Sequence, residues 1–352
     1  MKLNYDCRHF LGHIPCRPHK REGVHCDGCP YYNKADFSIL IIKLGAIGDV
    51  IRTTPLLHRL KAEHPDAFIT WLTLTPEVLP KGIDRKMGFE LKNISSILPQ
   101  KFDLVINLDK DLEACALAVQ LDTKKLVGFT LVDGKPRNVD EASYHKYLTG
   151  LWDDLNKSNT KSYPEEIFEI CGYKFNGERY MLDLPDERPS FDIPKGARVV
   201  GLNTGCGGRW VTRLWPEDRW VMLAKGLKEA GYLPLFLGGE AEDEKNKRLA
   251  LKSGGIYLGH YPLGEFFCLV DECELVVTAV TMGLHIAIGL GKKVVLFNNI
   301  FNPHEFEMYG LGEILSPGID CEGCFKPTCS EMCMEKISAA DTLGAVRRLM
   351  EK

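Results

Sequence analysis

Almost continuously apolar stretches of strand length alternate with amphipathic stretches of helix length along most of this chain. The pattern begins with a strand at 38–42 and a helix at 50–63, and it restarts at 198–205. Strands without a polar face must be buried on both sides, which is typical of parallel sheets with helices on both faces. We therefore predict an α/β fold made of two doubly wound halves in series.

The segment 184–197 separates the two halves; it carries three prolines and several charges, as expected of a linker. A chain of 352 residues is also long enough for two domains. We predict a Cys/His-rich appendage at 1–35, a first domain at 36–185, a second at 186–337 and a final helix at 338–352.

Charge and hydropathy restrict the class of protein. The formal net charge is −4, which does not favour a nucleic-acid partner. No apolar run reaches membrane-spanning length, and the N-terminal residues lack the apolar core of a signal peptide. We expect a cytoplasmic protein, and peripheral contact with the inner face of a membrane stays compatible with this composition.

The turn "GAIGDV" (45–50) joins the first strand to the first helix. A glycine-rich strand-to-helix turn normally suggests a phosphate site, because backbone N–H groups point at the ligand. Asp49 would repel a phosphate there. Two interpretations follow: a nucleotide loop with an unfavourable acid, or a site where the acid performs the chemistry.

The second half opens with "GLNTGCGGRWVTRLWP" (201–216), where small residues follow a strand. Such residues let backbone N–H groups approach a phosphate closely. Arg209 and Arg213 would supply planar, permanently charged groups for a diphosphate. The alternative is a tight turn with surface arginines.

Two further segments of the second half end strands at the edge where ligands bind in α/β sheets. Glu240 follows a Gly-Gly pair, and a carboxylate there can accept both hydroxyls of a ribose. Thr281, Gly283 and His285 lie where a helix begins directly after a strand. The alternative for His285 is a purely structural role. The alternative for the acids after the Gly-Gly pair is that they compensate the dipole of the following helix.

Read in order, these elements resemble glycosyltransferase family 9, the ADP-heptose:lipopolysaccharide heptosyltransferases. The resemblance covers about residues 37–350. It rests on the G-x-x-G-D turn followed by "TTPLL", on "LNTG" with "RLWP", on "LGGEAEDE", and on T-x-x-x-H-I-A-x-x-L-G-K-x-V-V. Their order and spacing together make it specific.

The resemblance implies a GT-B-type fold, with two Rossmann-like lobes facing a central cleft. It implies that the acceptor binds mainly to the N-terminal lobe and the nucleotide sugar to the C-terminal lobe. The C-terminal helix is expected to cross back to the first lobe. The implied reaction moves a heptose from ADP-heptose to a sugar hydroxyl, with inversion at the anomeric carbon and without a required metal.

Residue roles follow from the same resemblance. Asp49 corresponds to the general base, and Arg213 to the cation at the leaving group. Lys43 and Arg52 are candidates for binding a phosphate or carboxylate of the acceptor. The matching donor-binding positions are Thr204 and Gly205 in the phosphate loop, Glu240 at the ribose or adenine, and Thr281, Gly283 and His285, with Arg209 nearby.

The sequence departs from the family pattern in two places. Val280 replaces an Asp that would contact the donor, and "FNNIFNPHEFEMYG" (297–310) replaces a shorter motif. Both changes border the expected donor sugar, so the sugar itself stays open. The new polar side chains that are candidates to contact it are Asn298, Asn299, His304 and Glu305.

Thirteen cysteines include two clusters, each with a C-x₂-C pair and two further cysteines. In a reducing compartment such clusters predict a metal before disulfides, and tetrahedral zinc is the first expectation. An iron–sulfur cluster or iron is the alternative, and unligated thiols are a third possibility. The predicted ligands are Cys7, Cys16, Cys26 and Cys29 in one cluster and Cys321, Cys324, Cys329 and Cys333 in the other.

Alternative functions remain open from the sequence. Within the same architecture they are a protein heptosyltransferase and a nucleotide-sugar epimerase. A nucleic-acid-binding protein is disfavoured by the acidic net charge, and a nicotinamide dehydrogenase by the lack of a G-x-G-x-x-G order at the first turn. The expected partners are a nucleotide sugar and a glycan or glycolipid acceptor.

Overall fold

The computed structural model describes residues 2–351 of the chain. The chain forms two compact units, which we describe separately. The first unit comprises the residues up to 45, 56–147 and 167–174, and the second comprises 46–55, 148–166 and the residues from 175 onward.

The first unit is built on a six-stranded sheet in the order β3-β2-β1-β5-β7-β8, with a separate short pair of β4 and β6. Only the pairing of β7 with β8 is antiparallel. The strands are β1 (Phe37–Ile42), β2 (Ala67–Thr73), β3 (Arg85–Gly88), β4 (Lys101–Phe102), β5 (Leu104–Asn107), β6 (Asp122–Thr123), β7 (Leu126–Val132) and β8 (Lys135–Asn138). The strand order reverses between β1 and β5, and ligands of such sheets bind beyond the carboxyl ends of those strands.

The second unit has a five-stranded, fully parallel sheet in the order β10-β9-β11-β12-β13. Its strands are β9 (Val199–Asn203), β10 (Leu233–Leu237), β11 (Leu275–Ala279), β12 (Lys293–Phe297) and β13 (Gly312–Leu315). Here the order reverses between β9 and β11. The two mostly parallel sheets confirm the predicted α/β class.

Helices cover both sheets. They are α1 (Arg17–Glu22), α2 (Ile47–Ile51), α3 (Leu56–Glu63), α4 (Leu91–Ile97), α5 (Leu112–Ala118), α6 (Glu141–Thr149), α7 (Asp153–Ser158), α8 (Tyr163–Ile170), α9 (Glu217–Glu229), α10 (Asp243–Ser253), α11 (Leu263–Asp271), α12 (Met282–Gly289) and α13 (Ala339–Met350). No helix within residues 2–351 is both long enough and apolar enough to cross a membrane.

The helix predicted at 50–63 is in fact two helices, α2 and α3. The hydroxyls of Thr53 and Thr54 donate back to the carbonyls of Asp49 and Ile51, at 2.7 Å each. Side-chain bonds of this kind compete with the helical pattern, and Pro55 has no N–H to continue it. The break separates α2, which belongs to the second unit, from α3, which belongs to the first.

The final helix packs within the second unit. Helix α13 packs against α9, β12 and β13 of the second unit. Its buried face, which includes Val346 and Leu349, joins the apolar core around Trp220. The ammonium of Lys293 also donates to the Leu349 carbonyl at 2.7 Å. The expected contact of this helix with the first lobe stays a prediction.

Candidate active site

The crevice of the second sheet is bordered by a short polar network. Asn203 ends β9, and its amide donates to the hydroxyls of Thr278 and Thr281 at 2.8 and 2.9 Å. Thr281 caps α12 by accepting the Gly283 N–H at 3.1 Å. A Cβ on Gly283 would lie 2.8 Å from the Asn203 amide nitrogen, so only glycine fits there. Three of the predicted donor-site positions therefore build the N-terminus of α12, which favours an anion.

Thr204 and Gly205 follow β9 directly and are held by α10. The Thr204 hydroxyl donates to the side-chain oxygen of Asn246 at 2.6 Å, and the Lys245 ammonium donates to the Thr204 carbonyl at 3.0 Å. Burial lowers the pKa of Lys245. The sequence analysis did not single out Lys245 or Asn246, although their position one turn into the helix after "GGE" was a usable signal.

Glu242 closes the turn after β10. Glu240 was predicted to bind a ribose, and that role stays a prediction. Glu240 is exposed. The Glu242 carboxylate accepts the Gly239 N–H at 3.0 Å, and a Cβ on Gly205 would lie 2.6 Å from it. The glycine at 205 is thus needed for a close approach to a carboxylate.

Arg213 is buried beside backbone carbonyls. Its guanidinium donates to the carbonyls of Cys206 and Trp210, the latter at 3.3 Å, and lies 5.5 Å from the ring centre of Phe301. Burial lowers its pKa. No ion pair joins Arg213 to a carboxylate in the described part of the chain. A desolvated cation without a counter-charge is suited to binding an anion. Arg209, in contrast, is exposed and stacks on the neighbouring Trp210.

The turn that carries Asp49 packs on α12. A Cβ on Gly48 would lie only 2.5 Å from Cδ2 of His285, and α2 and α12 are in contact along this side. Gly48 makes room for the imidazole, and Asp49 belongs to the same unit as the loop of Thr204.

Arg52 binds Asp49 through two nitrogens. Nε and Nη2 lie 3.0 and 2.8 Å from Oδ1 of Asp49, and Nη1 lies 3.3 Å from Glu305. The guanidinium stacks 3.6 Å above the Tyr163 ring. Burial alone would lower the pKa of Arg52, but the two carboxylates raise it, so the cation persists. The Asp49 side chain keeps 34% exposure, so its carboxylate is accessible to a reactant.

His285 is held as a neutral imidazole. It is 5% exposed, and burial together with the nearby Arg52 cation lowers its pKa to about 3. Its Nδ1 has no hydrogen-bond partner among residues 2–351. The ring therefore fills space against Gly48 without adding charge beside Asp49.

Lys43 lies at the corresponding crevice of the first sheet, where it forms a buried ion pair with Asp109. Asp109 also accepts the Leu44 N–H, and Lys43 donates to the Gly45 carbonyl at 2.9 Å. Sequence reasoning missed Asp109, although it follows the carboxyl end of a buried strand. The ion pair occupies the ammonium that was predicted to meet the acceptor.

Of the four polar candidates in 297–310, only Glu305 joins the cluster at Asp49. Asn298 bonds the Phe301 carbonyl at 2.8 Å. Asn299 bonds the Thr212 carbonyl at 2.8 Å and Sγ of Cys333 at 3.1 Å, and His304 is exposed. Asn298 therefore stabilises its own loop, and Asn299 connects that loop to the segments of Thr212 and Cys333.

The zinc expectation has no support in the geometry. All thirteen cysteines are free, and residues 2–351 contain no group of three or more His, Cys, Asp or Glu side chains arranged to hold a metal ion. In the C-terminal cluster, Cys321 and Cys329 are exposed, while Cys324 and Cys333 are partly buried. Both ligand sets stay predictions.

The sequence matches a known protein family. The sequence model of glycosyltransferase family 9 (heptosyltransferase) matches residues 91–334. Lipopolysaccharide heptosyltransferase 1 of Pseudomonas aeruginosa is 25% identical over 329 residues, which is 83% of this chain and 87% of that protein.

Solved structures show the same fold. A family 9 glycosyltransferase from Veillonella parvula aligns with a TM-score of 0.71 at 19% identity, covering 90% of this chain and 98% of that one. ADP-heptose lipopolysaccharide heptosyltransferase II of Escherichia coli aligns with a TM-score of 0.63 at 16% identity, covering 90% and 99%. The predicted GT-B-type fold is thereby confirmed.

Proposed function

The chain belongs to glycosyltransferase family 9, the heptosyltransferases, and we propose that it transfers a heptose or a related sugar from an ADP-linked donor to a hydroxyl of a lipopolysaccharide-core or other glycan. The observation that carries the proposal is that one compact unit contains both a crevice suited to a diphosphate and the accessible carboxylate of Asp49. The donor class is further supported by the similar structure from Escherichia coli, which is an ADP-heptose lipopolysaccharide heptosyltransferase.

The diphosphate binds at the carboxyl ends of β9 and β11 in this proposal. The N-terminus of α12 and Gly205 offer backbone N–H groups, and Arg213 offers a desolvated cation. The Thr204 N–H already donates to the Leu237 carbonyl at 3.3 Å. As the bond to the sugar breaks, negative charge grows on the leaving phosphate. Arg213 stabilises that charge more in the transition state than in the ground state.

Asp49 acts as the general base. The acceptor oxygen attacks the anomeric carbon while the bond from that carbon to the diphosphate oxygen breaks, and the bonding electrons leave with ADP. The hydroxyl proton passes to the Asp49 carboxylate. Inversion follows from a single displacement. A carboxylate also stabilises the positive charge that develops on the sugar ring.

Arg52 keeps this carboxylate ionised and holds it in place. Its two bonds to one oxygen of Asp49 fix the side chain, and its contact with Glu305 divides its charge between two acids. We assign Arg52 to positioning, since both sides of its guanidinium are already engaged. Glu242 replaces Glu240 as the carboxylate closest to the phosphate loop and is the better candidate for a ribose contact.

A melting screen with nucleotide sugars tests the donor class. A ligand that binds only the native state raises Tm in proportion to the logarithm of its concentration over Kd. We expect ADP-heptose and ADP to raise Tm, and UDP-sugars to have no effect. Stabilisation by UDP-sugars alone would contradict the donor assignment, and release of an epimer without acceptor would indicate an epimerase.

Asp49→Asn tests the base independently of donor binding. We expect kcat to fall by about 10²–10⁴-fold, because the amide cannot take the proton, while the Kd of ADP stays within about threefold. Asp111→Asn, at an exposed acid in the other unit, is the control and should keep full activity. Loss of ADP binding in Asp49→Asn would contradict the assignment.

A further inference from the structure

The N-terminal segment of residues 2–36 has no core of its own. None of its side chains is fully buried, and its only regular helix has six residues. Large apolar side chains are instead exposed, such as Tyr5 at 77% and Ile14 at 55%. A segment of this size cannot bury enough apolar surface to order itself and normally needs disulfides, a metal or another cross-link.

The ends of the segment are nevertheless tied together and to the first unit. The Arg8 N–H donates to the Asn33 carbonyl at 2.7 Å, and the Ala35 N–H donates to the Asp6 carbonyl at 2.8 Å. The Arg8 guanidinium forms an ion pair with Asp84. These bonds join the two ends of the segment to each other and to the first unit. They do not stabilise the residues between those ends.

That interior is a cavity of about 220 Å³. Cys7, Cys16, Cys26 and Cys29 all line it, although they are spread over more than twenty residues of sequence, and most of the remaining wall is apolar. Each of the four is only partly buried, and none forms a disulfide. Four thiols around one cavity constitute a soft-metal ligand set.

The local backbone presents two of these thiols on one turn. The Cys29 N–H donates to the Cys26 carbonyl at 3.4 Å. Gly28 has a φ of +65°, a conformation that a glycine adopts without strain. The C-x₂-C pair is therefore a tight turn at the wall of the cavity.

The arrangement does not fit a single ion. A zinc ion would need four ligands that converge at about 2.3 Å for sulfur, and no such convergent group exists within residues 2–351. The four thiols line one cavity. An iron–sulfur cluster is larger than one ion, and four cysteine thiolates are its usual ligands.

We propose that this cavity binds an iron–sulfur cluster through Cys7, Cys16, Cys26 and Cys29, and that the cluster holds the N-terminal segment in its fold. Each thiol loses its proton to solvent and replaces one ligand of an assembled cluster, so binding transfers no electron. The role is structural and separate from sugar transfer, because four thiolates satisfy the cluster and the segment lies in the first unit.

The test uses the full chain, purified without air and reconstituted with iron and sulfide. We expect equal numbers of iron and acid-labile sulfide per chain and a higher Tm than in the chelated protein. Cys26→Ser should lose both, and Cys171→Ser, at a cysteine outside both predicted ligand sets, should keep both. One zinc per chain without sulfide, no bound metal, or loss in Cys321→Ser alone would overturn the proposal.

Alkylation of the unmutated protein keeps the test independent of whether Cys26→Ser folds. Iron-bound thiolates are poor nucleophiles, so the four N-terminal cysteines should react at least about tenfold more slowly in the reconstituted protein than after chelation. Cys171, which lies outside both predicted ligand sets, should react at the same rate in both and serves as the internal control. Equal rates at the N-terminal cysteines before and after chelation would overturn the proposal.

Discussion

The two sheets of this protein reverse their strand order once each, but the polar side chains at the two reversals are used differently. At β1 and β5, Lys43 is bound by Asp109, and the same carboxylate accepts the Leu44 N–H. At β9 and β11 the sheet edge carries the N-terminus of α12, and Arg213, which follows β9 in sequence, is buried against carbonyls and has no ion pair among residues 2–351. Topology alone predicts two ligand crevices. The ion pair of Lys43 with Asp109 disfavours an anion at the first, whereas the buried Arg213 favours an anion at the second.

The first crevice is neutralised by the protein itself. A buried lysine and a buried aspartate satisfy one another, so a phosphate placed there would have to displace Asp109. In the second crevice the unbalanced cation is Arg213, and its desolvation has already been imposed by folding. A diphosphate that binds there gains the full interaction with a preorganised charge.

Asp109→Asn should produce the largest change in stability. It leaves Lys43 buried without its counter-charge, which costs about 3–5 kcal/mol of unfolding free energy. Denaturant unfolding measures it, and the exposed neighbour Asp111→Asn should change stability by less than about 0.5 kcal/mol. Equal stability of both variants would break the comparison, because the first crevice would then not depend on its ion pair.

His285→Asn should change how the second unit responds to acid. Native His285 stays neutral down to about pH 3, whereas the unfolded residue takes a proton near pH 6.5. Stability therefore falls as the pH drops from 6.5 toward 3, by roughly 2–3 kcal/mol at pH 4.5 from this residue. The variant should lack this loss, and His304→Asn, at an exposed site, should keep it. Parallel curves for wild type and His285→Asn would contradict the buried neutral imidazole.

Gly48→Ala should separate the turn of Asp49 from α12. The added methyl would overlap His285, which costs about 1–3 kcal/mol and moves Asp49. We expect kcat to fall by about tenfold or more, with the Kd of ADP nearly unchanged. Gly45→Ala is the matched control, since its Cβ would meet Leu74 at an ordinary 3.5 Å. Equal activity of the two variants would show that the contact with His285 does not position the acid.

Glu305→Gln should give the smallest effect, on the acidic limb of the pH–kcat profile. Arg52 then keeps its bonds to Asp49, while burial raises the pKa of Tyr180 and lowers that of His285, so both stay uncharged beside it. Loss of the competing carboxylate strengthens the interaction of Arg52 with Asp49, so the limb should move to lower pH by less than about one unit. Glu307→Gln, at an acid that accepts the Tyr309 N–H, is the control. A shift to higher pH would contradict the shared arginine.

Much of the fold could be predicted because it depends on local patterns. The apolar run Ile39–Ile42, every residue of which is fully buried, predicts a central parallel strand. The loop at Thr204 and the cap at Thr281 follow from small residues after strands. Each of these signals lies within a few residues of the structure it specifies.

The misses depend on contacts between residues far apart in sequence. Nothing near Gly48 shows that it will touch His285, and nothing near Lys43 shows that Asp109 will neutralise it. Glu240 and Glu242 both follow the same turn. The sequence does not show which of them accepts the Gly239 N–H; in the structure it is Glu242.

The central claim is that the second crevice, and not the first, binds the diphosphate. Calorimetric titration of ADP into Arg213→Gln and Asp109→Asn tests it side by side. Loss of a charge-assisted bond predicts that the Kd of ADP rises by about 10–100-fold in Arg213→Gln. Native-like Asp109→Asn should keep the wild-type Kd within about twofold. Unchanged ADP binding in Arg213→Gln, or weakened binding in folded Asp109→Asn, would contradict the account.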